Sequence, residues 1–251
     1  MLRTKSLTLA VSWILGLLLS GLILGCSSDE KKADSPEGAF SLAQEFDNEE
    51  RYEEAITRYQ EVKNKFPYSR FATMAELAIA DVYFKQESYP EAQASYQLFK
   101  ELHPKHPQID YVTFRLALSY FNQLPETIDR DLSLAPNAIA IFDEVLAQYP
   151  NSPHAQESKD KRAEAIKKMA SKEDYIANFY FIREKWDSAL GRYEGLMKTY
   201  PNLGFDAQAL SRAAISASKL GELEKSKKYL SDLKSKFPQS SELESAQREI
   251  R

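Results

Sequence analysis

Of 251 residues only eight are glycine, and three of those, Gly16, Gly21 and Gly25, fall within the first 26 positions. So few glycines leave little material for tight hairpins or for loops that cradle phosphate. Cysteine is rarer still, and the single Cys26 excludes an internal disulfide. Of the three histidines, His103 and His106 stand three apart. Pro104 and Pro107 make that segment a rigid turn, no cysteine or carboxylate cluster adjoins it, and His154 is far along the chain, so no metal set is expected. A formal net charge of −4 removes any bulk electrostatic reason to bind nucleic acid. Catalytic constellations are lacking as well. Cys26 has no base or pocket at the edge of an apolar leader, and pairs such as Glu53 with Glu54 or Asp129 with Asp131 read as solvated carboxylates, so neither an enzyme nor a cofactor is expected.

What the chain does have is a recurring frame. In Tyr52 to Pro67, YEEAITRYQEVKNKFP, Ala55 lies twelve positions before the proline, Tyr59 eight and Val62 five. The same offsets give Ala92, Tyr96 and Phe99 before Pro104; Ala138, Phe142 and Val145 before Pro150; Ala189, Tyr193 and Leu196 before Pro201; and Ser226, Leu230 and Leu233 before Pro238. The prolines are 37, 46, 51 and 37 residues apart, which is the mark of a repeat protein with residues inserted in its middle units. Steps of four and three set the small, aromatic and aliphatic residues on one helical face, and the proline ends the helix because it has no amide hydrogen to donate.

A partner helix precedes each frame. Ala43 and Phe46 stand before Ala55 as Ala80 and Tyr83 do before Ala92, at twelve and nine residues, which predicts two antiparallel helices per unit. The second unit's partner helix spans about Arg70 to Lys85, and the third unit's is DYVTFRLALSYF, followed by an insertion between Asn122 and Pro136. An added helix is expected from about Pro153 to Ser171, ahead of the fourth unit. Ser241 with Glu244 suggests a capping box opening a last short helix. The fold class is all-α: a superhelical stack of about five helix pairs.

Arg3 and Lys5 precede the apolar run from Leu7 to Leu24, which has the parts of an export signal and is also nearly long enough to span a bilayer. Leu22-Ile23-Leu24-Gly25-Cys26 resembles the lipobox of bacterial lipoproteins. That resemblance implies cleavage before Cys26 and lipid attachment at its thiol and new amine, leaving residues 27 to 36 as a polar tether. Ser27 after the cysteine implies, by the enterobacterial rule, residence at the outer membrane facing the periplasm.

The small–aromatic–proline frame looks like tetratricopeptide repeats over residues 37 to 240. More specific segments are Leu102 to Val112, Asp129-Arg130-Asp131, Tyr149-Pro150-Asn151-Ser152 and Tyr175 to Tyr180. In this order, with five repeats and a lipobox, they resemble the BamD, or ComL, family of outer-membrane β-barrel assembly lipoproteins. The resemblance implies a non-enzymatic scaffold. Its amino-terminal half, 37–135, would hold a groove for the targeting strands of unfolded outer-membrane proteins, and its carboxy-terminal half, 136–251, would dock on the periplasmic domain of BamA, with other lipoproteins of the same machinery as further partners. Arg192, in the matching segment GRYEGLM, is the implied BamA contact. The inward face of each first helix selects Phe40, Gln44, Met74, Leu77, Asp81, Phe84, Tyr111, Phe114 and Leu118 for the groove, and half of these could instead be core between repeats. On this expectation Phe84→Ala with Phe114→Ala weakens peptide binding and leaves helical content unchanged. A pilotin-like lipoprotein escorting a secretin is the alternative, and an envelope enzyme or peptidoglycan-binding subunit a more distant one.

Overall fold

A computed structural model describes residues 34–250, and every regular element in that span is an α-helix. In chain order these are α1 (Pro36–Asn48), α2 (Tyr52–Lys65), α3 (Arg70–Lys85), α4 (Tyr89–Leu102), α5 (Ile109–Asn122), α6 (Ala135–Gln148), α7 (Ala155–Phe181), α8 (Trp186–Thr199), α9 (Asp206–Lys219), α10 (Leu223–Lys236) and α11 (Ser241–Glu249). Consecutive helices pack on each other as pairs α1/α2, α3/α4, α5/α6, α7/α8 and α9/α10. Lipid attachment at Cys26 falls outside the described residues.

The frame is the packing seam of each pair. Ala55, Ala92, Ala138 and Ala189 have no exposed surface, and Tyr59, Tyr96, Phe142 and Tyr193 are equally sealed one turn later. Where the fifth unit has Ser226 in the alanine position, its hydroxyl donates 2.9 Å to the Ala214 carbonyl, so the buried oxygen is satisfied. Two of the frame tyrosines also place their hydroxyls on a neighbouring first helix. Tyr96 donates to Asp81 at 2.5 Å, and Tyr193 accepts from Arg212 at 2.9 Å.

The ends of the second helices repeat as well, four times at each end. Phe66, Tyr149, Tyr200 and Phe237 each stand just before the frame proline and adopt nearly one conformation, φ between −127° and −134°. Each donates its N–H to the carbonyl of the frame aliphatic four residues back, which makes the last helical bond before the proline. At the turn inside the pair, Glu50, Glu87, Glu184 and Gly221 have positive φ of 59°, 59°, 55° and 78°. The residue after each donates to a carbonyl five back: Arg51 to Phe46, Ser88 to Tyr83, Lys185 to Tyr180 and Glu222 to Ala217. This is the Schellman closure that glycine usually serves, made three times out of four with glutamate.

The described residues fall into two compact units, divided between Leu102 and His103. In the first, α1 and α3 lie side by side and α2 and α4 flank them. The core includes Phe40, Ala43, Tyr59, Val62, Ile79 and Val82. In the second, the first helices α7, α9 and α11 are neighbours. The expected division after residue 135 would separate α5 from α6, which pack together as a pair, so α5 belongs with the second unit. Two further expectations are corrected. The added helix and the fourth unit's first helix are one 27-residue rod, α7, because no proline, glycine or cap interrupts it. The last helix is capped one residue earlier than expected, by Ser240, whose hydroxyl accepts from Leu243 N–H at 3.2 Å.

Two outcomes follow for denaturant unfolding of the full chain. Ala92→Leu, at a site with no exposed surface, costs about 1 to 3 kcal/mol through overpacking. Glu87→Gly raises stability by about 1 kcal/mol, because the left-handed conformation is then unstrained.

Candidate partner-binding surfaces

In the first unit the sequence-selected residues divide by burial. Phe40, at 5% exposure, packs its ring 5.3 Å from Tyr59 and 5.7 Å from Phe71, and Leu77 is likewise buried. Neither lines an open groove: Leu77 is buried, and Phe40 is part of the first unit's core between α2 and α3. Gln44 and Met74 are exposed, Met74 to 41%. Asp81 is half-buried under the Tyr96 hydroxyl, and Phe84 lies edge-on to Tyr89 at 5.2 Å. Lys85 reaches across to both carboxylate oxygens of Asp47, at 2.7 and 2.8 Å, and ties α3 to α1. The surface these residues leave open is therefore Gln44 and Met74, with Asp81 and Phe84 half-covered.

In the second unit Phe114 and Leu118 are buried at 4% and 7%, and Tyr111 is partly so. The cause is the turn from α6 into α7. His154, at the α7 N-cap, stacks on Phe114 at 4.7 Å and 9° and lies 5.6 Å from Tyr111. Ser152 fixes this turn: its hydroxyl donates 2.7 Å to Asp110 and accepts 3.2 Å from His154 N–H. Burial pushes the Asp110 carboxyl up, but the Ser152 hydroxyl and nearby backbone amides outweigh it, and the net position is below the usual aspartate range. His106 is held low by burial and by His103, and its Nδ1 accepts from Gln108 N–H at 3.2 Å. The insertion between α5 and α6 is pinned to α7, where Lys168 donates to the Pro125 carbonyl at 3.1 Å and Lys172 to that of Arg130.

Arg192 is exposed on α8 and pairs with Glu173 of α7 at 3.0 Å. Beside it is an open depression of about 570 Å³ lined by Tyr180, Asp187, Ser188, Gly191 and Gly195. A surface pair of this kind contributes about 0 to 1 kcal/mol, so Arg192 can exchange Glu173 for another carboxylate at little cost.

Sequence reasoning passed over a cavity of about 400 Å³ between the end of α7, the face of α9 and α11. Its floor includes Phe181 and Ile215, and its polar lining includes Gln208, Arg212, Glu242 and Arg248. Arg212 is half-buried, with its guanidinium 5.3 Å from the Phe181 ring centre, and its Nη1 donates to Asn178 Oδ1 at 2.8 Å and to the Tyr193 hydroxyl at 2.9 Å. Gln208 donates to Asp174 at 2.8 Å. Burial pushes Asp174 above its ordinary value, with Arg212 and Gln208 pulling back, and burial also pushes the Tyr193 hydroxyl up to about 12. A signal for the site was present in the sequence: Asn178 stands eleven residues before its frame alanine, the offset that also selects Gln44 and Asp81. Among the described residues, no helix is long and apolar enough to cross a membrane, and no three His, Cys, Asp or Glu side chains gather as a metal set.

A family model described as YfiO, outer membrane lipoprotein, matches residues 32–233. The outer membrane protein assembly factor BamD of Neisseria meningitidis serogroup A is 27% identical over 249 residues, covering 94% of this chain and 92% of the relative. BamD of Vibrio cholerae is 27% identical over 198 residues, covering 74% and 82%. BamD of Caulobacter vibrioides is 24% identical over 231 residues, covering 90% and 75%. Among solved structures, the TPR2AB domain of yeast Sti1 is 17% identical with a TM-score of 0.40, covering 89% of this chain and 84% of that one. The type IV pilus biogenesis factor PilW is 18% identical with a TM-score of 0.38, covering 83% and 96%.

Because its ring is buried beneath His154, Phe114→Ala costs about 3 to 5 kcal/mol of stability, so the double substitution with Phe84→Ala reports on folding as much as on binding. Met74→Ala, on the open face, changes stability by no more than about 0.5 kcal/mol. Thermal unfolding of the two single variants checks this, and the reverse order would place Phe114 on the surface.

Proposed function

The chain belongs to the YfiO family of outer membrane lipoproteins, and we propose that it is an outer-membrane protein assembly factor that works by holding other polypeptides, without turning over a substrate. Cys26 carries the lipid that anchors it at the periplasmic face of the outer membrane, since an aliphatic pair and a glycine stand directly before it. Its partners are the periplasmic domain of BamA, other lipoproteins of the assembly machinery and the targeting strands of unfolded outer-membrane proteins. The open face of the first unit, Gln44 and Met74 with Asp81 and Phe84, receives such strands. An extended chain brings apolar side chains on alternate residues and backbone donors for the polar ones.

One observation carries the docking half of this reading: Arg192 stands exposed beside an open depression, held by a surface ion pair that a partner can displace. A guanidinium suits a bidentate contact with a carboxylate of the docking domain. The secretin-escort reading is not favoured, because the matched family and the relatives are outer-membrane lipoproteins and assembly factors.

Affinity capture of the tagged full-length chain from detergent-solubilised envelopes recovers BamA, and Arg192→Glu lowers that recovery about tenfold or more by opposing the partner's carboxylate. Capture of a secretin in its place would overturn the proposal.

A further inference from the structure

The turn between α2 and α3 presents the most exposed aromatic side chain among the described residues, Tyr68, which lies wholly in solvent. The backbone that displays it is fixed. Pro67 sets one dihedral angle, Ser69 N–H closes on the Phe66 carbonyl at 3.0 Å, and the Ser69 hydroxyl caps α3 by accepting from Ala72 N–H at 3.2 Å. A single exposed ring needs no explanation, but this one stands among cations. From Val62 to Phe71 the chain has Lys63, Lys65 and Arg70 and no carboxylate. Glu76 holds Lys63 at 3.5 Å on the flank of the unit, while Lys65 and Arg70 stay at the turn. Lys65 lies 5.4 Å from the Phe66 ring centre and Arg70 4.8 Å from that of Phe71, so both stems run along apolar rings with the charge at the tip. Leu102, exposed at the end of α4, shares a depression of about 210 Å³ with Lys63 and adds apolar surface to this end of the first unit.

The entry of the chain decides what this end faces. Lys65 pairs with Asp34, the first described residue, at 3.4 Å, and both partners are exposed, so the pair is exchangeable. The eight residue steps from Cys26 to Asp34 span at most about 29 Å in any conformation. A lipid on Cys26 therefore keeps the turn within about that reach of a bilayer, whereas Asn48, at the far end of the 13-residue α1, is about 20 Å away along the helix. A tyrosine flanked by lysine and arginine suits a bilayer surface, with the ring at headgroup level and the cations on lipid phosphates. The chain as a whole, at −4, is repelled by an anionic surface, so a local basic turn determines which side meets it. We propose that the turn between α2 and α3 is a second membrane contact beside the lipid anchor, with Tyr68 among the headgroups of anionic phospholipid and Lys65 and Arg70 on their phosphates. This rests on the reading that Cys26 carries the lipid, and it adds an orientation in which the turn faces the bilayer and Asn48 faces away.

Acylation leaves Cys26 without a free thiol, so Tyr68→Cys and, as a control, Asn48→Cys each give the full-length lipidated chain one site for a nitroxide label. Each is reconstituted into vesicles of phosphatidylethanolamine and phosphatidylglycerol, and collisions of the label with oxygen, which concentrates in lipid, are compared with those with a water-soluble nickel chelate. The label at position 68 favours oxygen and the label at position 48 favours nickel. Vesicles of phosphatidylcholine alone, or Lys65→Gln with Arg70→Gln, lower the lipid-facing share at position 68 about tenfold. All these positions are exposed, so helical content is unchanged. Nickel preference at both positions in a vesicle-bound chain overturns the turn contact and leaves the lipid anchor standing. Oxygen preference at position 68 that survives removal of both cations overturns the role of Lys65 and Arg70. If Cys26 of the unaltered chain takes the label, no lipid is attached there, and the inference falls with that reading.

Discussion

Close approach of two helices across a residue with almost no side chain is the constraint on which the rest of the structure depends. Ala55, Ala92, Ala138 and Ala189 are sealed completely, and the aromatic ring one turn later fills the groove that the small residue opens. A single helix pair buries only this seam. Its other apolar residues need a neighbouring pair, which is why units of this kind stack rather than fold alone. The first helices α7, α9 and α11 accordingly lie beside one another in the second unit, as α1 and α3 do in the first. Residues on the first helices that point away from the seam are freed from the core, and Gln44, Met74 and Arg212 all sit at such positions.

The turns show what the seam can support. A glutamate at φ near 59° is strained by about 1 to 2 kcal/mol relative to ordinary helix, yet Glu50, Glu87 and Glu184 hold it. They do so because the next residue's N–H closes on a carbonyl five back, and because the seam begins five residues later and leaves the chain no other path. At the far end the aromatic before Pro67, Pro150, Pro201 and Pro238 makes the last helical bond, so these second helices end at one phase of the frame. The second helices α2, α4, α6, α8 and α10 are all 14 residues long.

The frame, the helix pairs and the insertion were legible in the sequence because they depend on local spacing, and α3 lies where its apolar pattern put it. Positive φ at Glu50 was not legible, since the usual marker for it is glycine and the chain has few. Groove residues were legible only in part. Whether a first-helix side chain meets solvent or a neighbour depends on what the next element lays over it, and nothing within α5 announces that His154, forty residues after Phe114, will cover that ring. Asn178 shares the offset that picked out Gln44 and Asp81, so this acceptor for Arg212 could have been found by carrying that phase past the insertion. Arg212 could not, because the fifth unit places it fourteen residues before Ser226, one helical step out of phase.

Two arginines of the second unit illustrate how environment assigns different work to one side chain. Arg192 stands in water beside Glu173, where pairing and solvation nearly cancel, so the pair itself contributes little to stability. Arg212 is partly withdrawn from water and bonded to neutral groups, while its charge acts on the nearby Asp174 carboxyl and offsets part of what burial does to it. The surface arginine is therefore held by an exchangeable pair, whereas the sheltered one is fixed in place by two neutral acceptors and a nearby carboxylate.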